Sequence, residues 1–296
     1  MNSSISESAL ISYAAAPMSG SVVDASYAKS GELLACALDS GDLVFHNAVK
    51  NKQFAPLKTS AKEPFLVEFL DSELLVHTSG ANLEVVNLKK EEYVSLFSAH
   101  TSPVYSVSTS SMFRNTISAA SNEAYMWDIR EKNPHAKIPV QGKPIVKYSP
   151  DGKIFMILFE ERNEMALYDV RSYTAGPYKT KKIAASGYSD MHFSPDGFGM
   201  VLFQEDGFSI ADGFSGDVTL YLPSEFSMGG CFTQDSRSFI YTTGPSEISM
   251  ATIPETKSVP IFSVNDGSLI TSLRYNPCFE QIAVIHKQLT FLQNSN

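Results

Sequence analysis

The chain has 296 residues, 43% hydrophobic and 11% aromatic, with 32 acidic against 23 basic residues for a formal net charge of −9. So much apolar sequence supports a large core and excludes disorder as the main state. The acidic balance argues against direct nucleic-acid binding, which runs on basic faces, and suits solubility and basic protein partners.

From the N-terminus, Met1-Asn2-Ser3-Ser4 opens no basic n-region or long apolar stretch, and no run approaches 18 apolar residues, so neither a signal peptide nor a membrane span is expected. A short apolar strand, Ala9–Ala14, comes first. The turn Lys29-Ser30-Gly31 leads into the strand Glu32–Leu38, the turn Asp39–Asp42 and the strand Leu43–Asn47. The same order returns with Leu70-Asp71-Ser72, Leu74–His77, Ser79–Asn82 and Leu83–Val86. A less typical turn falls near Ser111. Two near-identical turns follow, Ser149-Pro150-Asp151-Gly152 and Ser194-Pro195-Asp196-Gly197, each between short apolar runs. Proline presets φ and glycine tolerates positive φ, so each quartet is a hairpin. Thr233-Gln234-Asp235-Ser236 and Asn276-Pro277 complete the set.

These turns recur at roughly 40 residues, the period of four-stranded propeller blades. The expected fold is therefore all-β: one seven-bladed β-propeller over residues 1–296, with blades near 22–53, 65–98, 103–140, 144–182, 188–222, 228–263 and 268–293. Only three strands are expected in the last blade, so residues 1–16 are expected to supply its fourth strand and close the ring, leaving only short protected edges. No amphipathic helix longer than three turns is predicted. Cys36, Cys231 and Cys278 are far apart and odd in number, which supports neither disulfides nor a zinc site; each is expected in apolar strand sequence, which suits a reducing compartment.

Blade 3 carries Ala99-His100, Ser118 and Tyr125-Met126-Trp127-Asp128, a pattern that resembles the WD repeat. In such repeats a His, an Asp, a Ser or Thr and the Trp form a buried hydrogen-bond relay; the resemblance assigns those places to His100, Asn122, Ser118 and Trp127. Two longer stretches, Gln141–Phe155 and Glu164–Tyr178, with Ala211–Gly216 and Tyr275–Phe279, resemble one WD-repeat family. It is the propeller subunit shared by the COMPASS histone methyltransferase and by RNA polymerase II 3′-end processing and phosphatase complexes. The resemblance implies a non-catalytic nuclear scaffold, also cytoplasmic in part, acting in histone methylation, transcription termination or mRNA 3′-end processing. Its implied partners are larger protein subunits: a methyltransferase, a phosphatase-targeting subunit or a polyadenylation factor.

No nucleophile, P-loop or HExxH motif is present, and the six histidines show no metal-ligand spacing, so no catalytic residue, metal or cofactor is expected. Two features admit both a structural and a docking reading. Asp128 with Arg130, and Asp169 with Arg171, end third strands; each pair either steadies its own turn or presents the Arg to a partner. The second option resembles the motif by which cullin ubiquitin-ligase substrate receptors engage their adaptor, the alternative function. The loops joining second and third strands carry Asp39, Asp42, Glu123, Glu160, Glu161, Glu164, Glu205, Asp206 and Glu247, against Arg162 and Lys287. They are either a solvated loop set or an acidic face for a basic partner segment, with Glu160, Glu161, Glu205 and Asp206 as candidate contacts. The linker 172–187, with Lys179, Lys181 and Lys182, is either a solvated loop or a site for a phosphorylated polymerase tail.

Overall fold

A computed structural model describes residues 10–14, 20–61, 65–110, 112–183, 187–255 and 257–294. Among them, seven antiparallel sheets form the blades of a β-propeller, and the only helices are single 3₁₀ turns at Glu160–Arg162 and Tyr173–Ala175.

Blade 4 shows the plan. Its strands are Pro144–Tyr148, Ile154–Phe159, Glu164–Asp169 and Lys179–Lys182, paired in that order from the axis outward. The second strand, Ile-Phe-Met-Ile-Leu-Phe, is buried at nearly every position because neighbouring blades cover both of its faces. Outermost strands alternate instead: in Val218–Pro223 of blade 5 only Leu220 and Leu222 are buried. The fourth position of blade 1 is shared by two short pieces, Lys52–Gln53 and Leu57–Lys58, both paired with Asp42–Asn47. Proline at position 56, which has no N–H to donate, lies between them.

Blade 7 consists of Ser272–Tyr275, Gln281–Ile285 and Leu289–Asn294, with Leu10–Ala14 as its fourth strand. The closing pair is antiparallel, from Leu10 opposite Asn294 to Ala14 opposite Thr290. The N-terminal strand thus closes the ring as expected; residues 1–9 and 15–16 of the expected closing segment lie outside the described residues, as does Ser111.

Seven apolar clusters fill the seams between successive blades. One joins Leu34, Cys36 and Val44 of blade 1 to Ala283, Ile285 and Phe291 of blade 7, so the seam that closes the ring is packed like the others. Each fully buried Leu or Phe contributes about 1.5–3 kcal/mol, and the ring is held largely by these seams.

The innermost strands diverge too far to share a ladder, so side chains bridge them. Asp24 Oδ2 accepts from the Val67 N–H at 2.9 Å and Ser26 Oγ from the Phe69 N–H at 3.2 Å. Glu68 Oε1 accepts from the Thr109 N–H at 3.0 Å, and Ser106 and Ser108 hydroxyls accept from Val146 and Tyr148 at 3.0 and 3.1 Å. These contacts satisfy backbone donors that burial would otherwise leave unpaired.

Two cysteines stand in strands, Cys36 buried and Cys231 half-buried; Cys278 differs from expectation and lies exposed in a turn, its thiol directed at the Lys29 carbonyl.

Candidate docking surface

The polar relay of blade 3 is compact. His100 Nε2 and Trp127 Nε1 both stand 2.7 Å from Ser118 Oγ, and Trp127 stacks on Phe97 with ring centroids 4.9 Å apart. Trp127 is fully buried. Its indole N–H can only donate, so the hydroxyl accepts it; with the imidazole proton on Nδ1, facing Glu123, the hydroxyl donates its own proton to Nε2. The fourth member is Glu123 rather than Asn122. Glu123 Oε2 lies 3.4 Å from His100 Nδ1 and accepts the Thr101 N–H at 2.8 Å. Asn122 occupies the left-handed region, φ +61°, and its side chain caps the loop by accepting the Gly142 N–H at 2.8 Å. The loop is short, so the acid falls one residue later, at the start of the third strand. Burial raises the Glu123 carboxyl, but the Thr101 N–H and His100 outweigh it and hold the group below its ordinary range.

The two Asp-Arg motifs share one geometry. Arg130 donates from Nε to Asp128 Oδ1 at 2.8 Å and from Nη2 to Oδ2 at 2.5 Å. Arg171 does the same to Asp169 at 3.1 and 2.7 Å. In both, the Arg backbone N–H also donates to the carboxylate, at 2.9 and 2.8 Å. Each fork closes its own turn, and the arginine bond holds both carboxyls down at about 2. The Nη1 donors point away from these bonds, and both arginines remain largely exposed.

Other acids at this end of the ring are likewise tied into turns. Asp151 accepts from the Ser149 hydroxyl at 2.7 Å and the Lys153 N–H at 3.1 Å, while the Ser149 oxygen accepts the Ile154 N–H at 3.2 Å. Ser194-Pro195-Asp196-Gly197 and Thr233-Gln234-Asp235-Ser236 repeat the arrangement. Position four takes φ +68° in Gly152 and +75° in Gly197, and Ser236 bears the same conformation at +59°.

The opposite end carries the loops between second and third strands. Glu160, Glu161, Glu205 and Asp206 are exposed there. The side chains of Glu161, Glu205 and Asp206 make no ion pair among the described residues. Arg162 does not neutralise them: its guanidinium lies over the Phe159 ring, 4.0 Å from the centroid. Other acids of the expected set are engaged: Glu123 in the relay, Glu164 with Lys182 at 3.1 Å, and Asp39, whose Oδ1 accepts the Ser21 N–H at 3.2 Å. In the 172–187 linker Lys181 pairs with Asp217, so two of its three lysines are held by carboxylates of the chain itself.

Sequence reading missed the axial residues Asp24, Glu68, Lys147, Asp190, His192 and Arg274, which line the central cavity. Their signal was a lone charge inside a short apolar strand, as in Val67-Glu68-Phe69 and Val146-Lys147-Tyr148. Among the described residues, no group of three or more His, Cys, Asp or Glu side chains could hold a metal ion, and no helix is long and apolar enough to cross a membrane.

No protein-family model matches the chain. It is 24% identical over 279 residues to Set1 complex component swd2 of Schizosaccharomyces pombe, a match covering 86% of this chain and 76% of that protein. It is 25% identical over 162 residues to WD repeat-containing protein 82 of Drosophila melanogaster, 53% of this chain and 51% of the relative. With COMPASS component SWD2 of Saccharomyces cerevisiae it shares 22% over 176 residues, 57% and 53% of the two chains. The chain thus spans about half the length of two of these relatives and three quarters of the third. With seven blades in a closed ring and these relatives, the chain is a β-propeller similar, at a divergent level, to WD-repeat proteins of the Swd2 type.

Proposed function

We propose that this propeller is a non-catalytic scaffold subunit of a nuclear complex that modifies chromatin, of the Set1/COMPASS histone-methylating kind. The observation that carries the reading is the loop face: a closed, rigid ring presents Glu161, Glu205 and Asp206 without ion pairs, beside Glu160. Such a surface attracts and orients a basic segment of a larger protein more than it could serve chemistry. The names of two relatives, a Set1 complex component and a COMPASS component, support the choice of assembly. By the family resemblance, transcription termination and mRNA 3′-end processing are further settings for the same docking role. The cullin-receptor alternative draws no support from the forks, because both guanidinium groups already grip their own aspartates.

Affinity capture of the tagged protein from nuclear extract, at low and high salt, tests this. Recovery of histone methyltransferase subunits at low salt, declining as salt rises, is the expected result. Recovery of a cullin adaptor alone, or of no partner, contradicts it.

A further inference from the structure

The loop face has two halves of different chemistry. The acidic half belongs to blades 4 and 5. A Cβ placed on Gly142 would meet the Glu161 carboxyl at 2.7 Å, and the Ser224 N–H donates to the Asp206 carbonyl at 3.0 Å, so the segments flanking both loops are seated against them. Six carboxylates of the described residues gather here, Glu160, Glu161, Glu164, Glu205, Asp206 and Glu225, against three cations, Lys143, Arg162 and Lys182. Six against three leaves the half negative, and its field favours Lys and Arg side chains.

The apolar half adjoins it on blades 6, 7 and 1. The Ser227 hydroxyl donates to the Gln204 carbonyl, which sets Met228 beside the loop of Glu205 and Asp206. Gly229 lies against blade 7: a Cβ there would stand 3.0 Å from the Leu273 nitrogen. The Ile270 N–H donates to the Pro245 carbonyl at 2.7 Å and fixes Leu269 at the loop end of blade 6. Arg274 joins blade 7 to blade 1, its Nε donating to the Ala25 carbonyl at 2.7 Å. On that strand of blade 1 the register shifts between Val22 and Asp24, and the bulge turns Val23 outward. Met228, Leu269 and Val23 are 55%, 45% and 45% exposed. A lone exposed apolar residue is ordinary, whereas three on consecutive blades at one end of the ring form a patch. The charges in the loops of blades 6 and 7 are mixed, Glu247 and Asp266 with Lys287.

The two halves together select the occupant. A wholly basic segment would leave the apolar patch in water, and a wholly apolar one would desolvate carboxylates without a counter-charge.

We propose that the loop face receives one extended segment of a larger protein, basic at one end and aliphatic at the other. Its Lys or Arg side chains lie over blades 4 and 5, and its aliphatic side chains pack on Met228 and Leu269. The inference rests on the scaffold reading for the existence of a partner and specifies the segment that partner must carry.

Photo-cross-linking of the full chain in nuclear extract tests it. The substitutions Lys143→p-benzoyl-phenylalanine, Met228→p-benzoyl-phenylalanine and Leu269→p-benzoyl-phenylalanine are made one at a time, and the joined peptides are sequenced by mass spectrometry. The expected result is one partner chain joined at all three positions. Attachment should fall next to Lys or Arg from position 143 and next to Leu, Ile, Val or Met from positions 228 and 269. The two attachment sites should lie within about 15 residues, or about 50 Å of extended chain. The double variant Met228→Ser with Leu269→Ser should lower capture of that chain about tenfold at low and high salt alike, because ions do not screen apolar burial. Its melting curve should match the wild type, since both residues are exposed. Joining from position 143 alone, different chains joined at the two halves, polar or acidic sequence at 228 and 269, no joined chain, or unchanged capture by the double variant would overturn the proposal. A two-part segment found in a protein outside any histone-methylating complex would uphold it while refuting the choice of assembly.

Discussion

The two ends of the ring use the same residue types differently. At the turn end, Asp128, Asp151, Asp169 and Asp196 each accept hydrogen bonds from their own turn, and their charge is absorbed into the fold. At the loop end, Glu161, Glu205 and Asp206 make no ion pair among the described residues, and the adjacent Arg162 turns away onto Phe159. A carboxylate bonded within its own turn is a folding element; one left in water beside others is available for recognition. Sequence position does not separate the two classes, since both follow apolar strands and flank turns.

Charge reversal at the loop end should give the largest effect. Changing Glu161, Glu205 and Asp206 together to Lys should weaken partner capture by about two orders of magnitude, roughly 3 kcal/mol. Thermal stability should stay within about 0.5 kcal/mol per site, as usual for exposed positions. Equal capture by this variant and the wild type would end the distinction between the faces.

At the turn end the expectation inverts. Asp151→Ala removes the acceptor of the Lys153 N–H and of the Ser149 hydroxyl, and should cost about 1–2 kcal/mol in denaturant unfolding while leaving capture unchanged. A stability change below about 0.3 kcal/mol would show that these turn bonds do not matter.

Acid should act in two stages. Burial lowers the pKa of His46, His77, His100, His192 and His286 in the fold. The unfolded chain therefore takes up more protons as pH falls through about 6.5, and stability should drop from pH 7 to 5. Asp128 and Asp169, held at about 2 by their arginines, contribute stability that is present above about 3.9 and lost only as pH falls from there toward 2. A flat melting profile between pH 7 and 5 would contradict the first stage.

The smallest effect belongs to the forks. Arg130→Ala and Arg171→Ala should each leave the denaturant midpoint almost unchanged, because both arginines are exposed and water screens the pairs, and should leave capture intact. Loss of a cullin adaptor on this substitution would instead revive the ubiquitin-ligase alternative.

The repeat was legible because second strands such as Leu33–Leu38 and Ile154–Phe159 are covered on both faces and read as unbroken apolar runs between turn signals. The closing strand was legible because a blade of three strands leaves an open edge that some segment must cover. The split fourth position of blade 1 was not, since outer strands bury one face at most and two-residue pieces such as Lys52–Gln53 carry no pattern. In the relay, His100, Ser118 and Trp127 come together in space, but the acid was misplaced by one residue because a short loop and a longer one look alike until the register of Ala120 with Glu123 is known. The axial charges were invisible as a set: Asp24, Glu68, Lys147 and Arg274 come from four blades and meet only when the ring closes.

Hydrogen–deuterium exchange of the captured complex against the free protein tests the central claim most directly. The account predicts new protection in the loops at 160–163 and 205–206 with unchanged exchange in the turns at 149–152 and 194–197. Protection confined to those turns, or to the forks at 128–130 and 169–171, would contradict it.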